Sequence, residues 1–181
     1  VMRKIAERTV YEGRWIDVKE LDFQADSGEI FTWEKVERPR DNGGMVIIAQ
    51  LKPSGRILLI RQYRPVLEQY IIGFPGGIAE SSDIAAEALR ELREESGYAG
   101  RVLSVSPDLR NNPALLDETV YLVRMEIDEN LPENQAPQQK LEVSEEIELH
   151  LKHPDEIPAW LRERHQAGDR IGIGPGYFFG L

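Results

Sequence analysis

With 181 residues and 41% hydrophobic content, the chain can bury one sizeable core. A formal charge of −10, with no stripe of Lys and Arg, argues against nonspecific nucleic-acid binding, and zero cysteines exclude disulfides and thiolate metal sites. No apolar run reaches the roughly 18 residues of a membrane span, and no signal-peptide core precedes the first polar stretch, so a cytoplasmic protein with no membrane partner is expected. Val1 ahead of Met2 reads as a remnant of cloning.

Residues 3–38 read as β hairpins. Arg8–Tyr11 leads through Glu12-Gly13 into the alternating Trp15–Val18, Leu21–Phe23 continues it, and Ile30–Val36 alternates again after the Asp26-Ser27-Gly28 turn. Trp15 and Trp33 have few core partners within these hairpins, and a local aromatic core competes there with a ligand-facing role. Residues 38–44 form a loop by composition. Met45–Ala49, Ile57–Ile60 and Tyr70–Ile72 read as strands, as do Val102–Val105 after the first helix and Glu118–Ile127. Residues 128–146 are polar and read as a mobile connector or as a lid that carries an acid to a site. Glu146–Leu151 is a last strand, and Pro158–Glu163 starts a second helix. His150, His153 and His165 lack metal-ligand spacing and are expected at the surface. The pattern gives an α+β domain with two helices on a mixed sheet.

The stretch from Pro75 to Tyr98 (PGGIAESSDIAAEALRELREESGY) is the most informative. A glycine turn and a Ser/Asp cluster open about four helical turns that end at glycine. At about 100° per residue, Ala85, Ala88, Leu89 and Leu92 share an apolar face, Arg90 and Arg93 share a second, and Glu87, Glu91, Glu94 and Glu95 share a third. Like charges at i,i+3 and i,i+4 each cost a helix roughly 0.2–0.5 kcal/mol. A solvated acidic face is one reading. A hard divalent cation, bound through oxygen and serving a phosphate substrate, is the other.

Gly77, Arg90-Glu91-Leu92, Glu94-Glu95 and Gly97-Tyr98 resemble the Nudix box, a glycine followed by REUxEExGU, where U is a bulky apolar residue. The tail matches at every fixed position. The front departs: counting from Gly77 leaves the spacing one residue short and puts Asp83 where the family has glutamate, and counting from Gly76 puts Ser82 there. Residues 8–125 further resemble the ADP-ribose pyrophosphatase branch, with GRW, TWEKV, ER, QYR and FPGG in order. Gly73 is a second departure, in a position where that branch usually has glutamate.

The resemblance implies a Nudix-type α/β/α sandwich at residues 41–181. It also implies an N-terminal antiparallel hairpin sheet at residues 1–40, exchanged between the subunits of a homodimer. It implies Mg2+, with Mn2+ as the alternative, held by Glu91, Glu94, Glu95 and the Gly76 carbonyl. Trp15 and Trp33 would clamp adenine, Arg38 and Arg64 would contact the diphosphate or terminal ribose, and Pro113 matches a recurrent proline of the branch. Glu145, with Glu146 beside it, would orient or deprotonate water, and Arg90 would hold the helix carboxylates. Glu94 would serve both catalysis and metal binding. The implied reaction cleaves the diphosphate of ADP-ribose to AMP and ribose 5-phosphate. A nucleotide sugar such as GDP-mannose is an alternative substrate, and a ligand sensor without turnover is an alternative function.

Overall fold

The computed structural model describes residues 1–39 and 42–181; Arg40 and Asp41, within the expected 38–44 loop, lie outside the described residues. The chain divides into two compact units, residues 1–44 with 107–121, and residues 45–106 with 122–181.

In the first unit, β1 (Arg3–Glu12), β2 (Asp17–Gln24) and β3 (Ile30–Glu37) form an antiparallel sheet. β1 starts earlier than the apolar alternation suggested, because its first half is held by charge: Lys19 pairs with both Glu7 and Glu37, and Arg8 pairs with Asp22. Such exposed pairs set register more than stability. Phe23 stacks on Phe31 with centroids 5.8 Å apart. Residues 107–121 join this sheet through Val36, whose N–H donates to Leu115 O at 2.9 Å and whose carbonyl accepts from Asp117 N–H at 3.1 Å.

In the second unit, β4 (Gly44–Lys52) shows strict alternation from Met45 onward, with Met45, Ile47, Ala49 and Leu51 buried. β5 (Ile57–Arg64) is buried on both faces at Ile57–Ile60, as expected of a central strand. One edge of β5 begins against β4 at Ile57 and continues against β6 (Gln69–Gly73). From β6 the chain runs on along β4, so that Ile47 N–H donates to Pro75 O and Met45 N–H to Gly77 O, both at 2.8 Å. The glycine turn is thereby delivered to α1 (Ile84–Ser96). β7 (Arg101–Val105) pairs with β9 (Thr119–Asp128), and the short β8 (Leu109–Arg110), in the first unit, pairs with the first residues of β9.

The other edge of β5 is taken by β10 (Ile147–Lys152). α2 (Ile157–Gln166) buries Ile157 and Leu161 with Ile57, Leu59, Ile72 and Phe74. β11 (Arg170–Ile171) adds a parallel pairing with β6, which makes the sheet mixed. A third helix, α3 (Ile173–Phe178), was not expected, because its IGPGYF sequence is rich in glycine and proline. It forms because Phe178 and Phe179 pack on Phe74, at 5.8 and 6.2 Å between centroids. His150 also departs from expectation: it is half-buried on β10, with its ring 4.9 Å from Trp160, and burial lowers its pKa. Among the described residues, no helix is long and apolar enough to cross a membrane.

Candidate functional site

α1 is built from strong helix formers. Asp83 caps its start, accepting from Ala86 N–H at 3.1 Å. The face it turns inward differs from the apolar stripe in the sequence: Leu89 is 40% exposed, while Glu87 and Glu95 are buried with Ile84, Ala88 and Leu92. The cause is the neighbour. The glycine turn offers polar backbone rather than apolar side chains, and Gly76 N–H donates to Glu95 Oε2 at 2.9 Å. A Cβ at Gly77 would stand 2.5 Å from Glu91 Oε1, so that carboxylate lies against bare glycine. At Gly73 a Cβ would meet nothing within 4 Å, and packing does not demand glycine there.

Arg90 lies with the carboxylates rather than with Arg93. Its guanidinium donates to Glu87 at 2.8 Å, Glu91 at 2.9 Å and Glu94 at 2.7 Å, and this company raises its pKa. Arg93 points elsewhere, to Gly97 O at 2.9 Å. Glu87 has a role that the stripe alone did not reveal. It bonds Arg90, the Ser81 side chain and the Glu80 backbone, partners that hold its pKa below the ordinary value. The loop before α1 is thus held by Glu87, Ser81 and the Asp83 cap, in place of the glutamate that its sequence lacks.

Glu95 is only 2% exposed. Burial pushes its carboxyl up to about 8, reinforced by Glu91 and Glu145 and opposed by the Gly76 N–H and Arg64. Burial likewise raises Glu91, with Glu94 and Glu145 adding to the effect and Arg90 opposing it. Among the described residues, no three acidic or histidine side chains converge as a ready-made metal cluster, because Arg90 draws Glu87, Glu91 and Glu94 onto itself. The donors nevertheless fit a hard cation. They are carboxylate oxygens, and the buried Glu95 and half-buried Glu91 repel one another, which a divalent ion relieves.

Two glutamates close the 128–146 segment. Glu145 closes a local turn, its carboxylate accepting from Glu142 N–H at 2.9 Å, and its charge is felt by both Glu91 and Glu95. Glu146 is otherwise engaged: its carboxylate accepts from the Tyr70 hydroxyl and its carbonyl from Tyr63 N–H. The segment is not a free connector. Asn134 is buried and bonds Ala99 N–H at 2.7 Å, Ala99 O at 2.9 Å and Asp128 O at 2.8 Å.

Of the remaining candidates, Arg64 is exposed at the end of β5 in the second unit, and the first unit holds Trp15, Trp33, Arg38 and Pro113. Trp33, on β3, is 50% exposed, and its indole N–H donates to Ala114 O at 2.8 Å. With Pro113, Phe23, Phe31 and Leu115 it lines an open cleft of about 590 Å3. Trp15 sits in the turn between β1 and β2, 67% exposed, with the Arg14 guanidinium 4.8 Å from its ring. Arg38 is exposed just beyond β3. Trp15 and Arg38 are not among the residues lining the cleft.

A family model described as the NUDIX domain matches residues 42–170, which include the glycine turn, α1 and the Glu145 segment. The chain belongs to the Nudix family. Its Nudix relatives include the ADP-ribose pyrophosphatase of Saccharomyces cerevisiae, 37% identical over 159 residues, covering 80% of this chain and 68% of that protein. The putative nudix hydrolase 2 of Caenorhabditis elegans is 31% identical over 164 residues, covering 86% and 74%. A crystal structure of an ADP compounds hydrolase superposes with a TM-score of 0.66 at 19% identity, over 89% of this chain and 83% of the other, which bears on the fold alone.

Proposed function

We propose that this Nudix protein hydrolyses ADP-ribose to AMP and ribose 5-phosphate, with Mg2+ as cofactor and Mn2+ able to replace it. The observation that carries this reading is the buried Glu95 and half-buried Glu91 against the glycine turn, with Glu145 close enough to perturb both. Relatives named ADP-ribose pyrophosphatase support the substrate.

Glu91, Glu94, Glu95 and the Gly76 carbonyl would hold the metal. A bound divalent ion neutralises phosphate oxygens and lowers the pKa of its water. Glu145 accepts the proton from the attacking water as the new P–O bond forms and the bridging P–O bond breaks. Arg64 and Arg38 steady the diphosphate by charge-assisted hydrogen bonds. Arg90 keeps Glu91 and Glu94 aligned. Trp33 and Trp15 stack on the adenine, with Pro113 beside Trp33. We place the protein in the cytoplasm as a homodimer, with the N-terminal sheet of residues 1–40 exchanged between subunits and the hydrolase domain at 41–181. All ten residues of β1 are exposed, as a strand awaiting a partner would be.

The test is product release from ADP-ribose, GDP-mannose and UDP-glucose. Fastest turnover of ADP-ribose is expected, with Trp33→Ala and Trp15→Ala each raising its KM by roughly tenfold or more, the scale of a lost stacking contact. Preference for GDP-mannose would redirect the substrate assignment. Unfolding of either tryptophan variant would make that residue structural.

A further inference from the structure

The last turn of any helix leaves carbonyls that need donors from elsewhere. On α1, two of these carbonyls belong to Glu94 and Glu95, and both are met by the same short stretch. Lys140 N–H donates to Glu94 O at 2.8 Å, and the Gln139 side-chain amide donates to Glu95 O at 2.7 Å. The same Gln139 nitrogen also reaches Ile147 O at 3.2 Å. An amide NH2 has two hydrogens, one for each carbonyl. Gly97 permits the approach: it sits at φ 74°, and a Cβ there would stand 2.3 Å from Gln138 N.

Gln139 therefore ties two separate pieces of backbone. One is the helix end that carries Glu94 and Glu95. The other is the first residue of β10, immediately after Glu145 and Glu146. The turn that Glu145 makes with Glu142 is local and fixes its conformation, but it does not fix where the turn stands relative to α1. Among the described residues, Gln139 is the one side chain whose bonds bracket the segment 140–146 against the helix.

We propose that Gln139 is a positioning residue: it fastens α1 to the start of β10 and thereby sets where the Glu145 carboxylate stands relative to Glu91 and Glu95. This rests on the reading of Glu145 as general base. Gln139 touches neither substrate nor metal in this role. It acts only through the two backbones.

The first test uses hydrogen exchange in the metal-free protein. Gln139→Met keeps the side-chain length and removes both donors, and amides 140–146 should exchange about tenfold faster, with the rest of the chain unchanged. Gln139→Lys restores donors and should return the segment to wild-type exchange. The second test is a double-mutant cycle on turnover. Gln139→Met should lower kcat roughly 10- to 100-fold with KM little changed, the scale of a displaced catalytic group. In a Glu145→Gln background, the same change should have almost no further effect. If Gln139→Met does not fold, Gln139→Glu, which puts an acceptor against two carbonyls, takes its place in both tests.

Unchanged exchange at 140–146 overturns the proposal. So does an equal loss of kcat in both backgrounds, since the role would then not pass through Glu145. A wild-type rate for Glu145→Gln alone would instead overturn the base assignment, and this role falls with it.

Discussion

Glu95→Gln is expected to cut turnover by orders of magnitude and, at the same time, to stabilise the metal-free protein above about pH 6. Burial pushes the native carboxyl up to about 8 from an ordinary 4.5. Between those values the folded chain keeps a proton that the unfolded chain has released. Unfolding is then accompanied by proton loss, and stability falls as pH rises through the window. On the order of 3 kcal/mol is lost in this way by pH 7. Glutamine carries no proton to lose and still accepts from Gly76 N–H. Thermal melts in chelator should show the wild-type midpoint dropping from about pH 5 to about pH 8, with Glu95→Gln dropping less, since only the raised Glu91 remains, and standing several degrees higher at the alkaline end. Turnover should fall by about three orders of magnitude, because a metal-ligand oxygen is gone. Parallel pH slopes for the two proteins would contradict the buried, destabilised carboxylate. A wild-type rate would contradict its place at the metal site.

Glu145→Gln is expected to lower kcat by roughly 10² to 10⁴, the range for a lost general base. Glu146→Gln should lower it less than about tenfold, since an amide oxygen there still accepts from the Tyr70 hydroxyl. The two glutamates are adjacent in sequence and separate in environment. Glu145 shares a field with Glu91 and Glu95, and Glu146 faces Tyr70. Steady-state rates for both variants decide between them. A larger loss for Glu146→Gln would move the base by one residue and leave the rest of the site in place.

Much of α1 was legible in the sequence because its signals are local. An N-capping Asp83, a run of good helix formers and Gly97 at the end all act within a few residues of one another. Its orientation was not legible. Apolar periodicity chose Leu89 for the core; instead the polar glycine turn, brought alongside by the path of β6 into β4, draws Glu95 inward, and Arg90, Ser81 and the Glu80 backbone hold Glu87. The strands from β4 to β6 were found where runs of Ile, Leu and Val place them. The hairpins were read from residue 3, where β1 begins, but alternation was legible only from Arg8, since ion pairs with β2 rather than apolar alternation hold Arg3–Glu7 in register. α3 was missed for a related reason: the packing of Phe178 and Phe179 on Phe74 overrides a poor intrinsic propensity. Gln139 left no mark in the sequence. An amide that bonds two carbonyls, of residues 95 and 147, has no periodic signature, and only the fold brings its partners together.

The central claim is that the carboxylates of α1 serve metal-dependent cleavage of a diphosphate. The most direct measurement is AMP release from ADP-ribose with magnesium present, after EDTA, and after magnesium is restored. Rapid release that stops in EDTA and returns with the ion is the expected result. Absence of turnover under all three conditions, with tight ADP-ribose binding by calorimetry, would contradict it and identify a nucleotide sensor on a hydrolase fold.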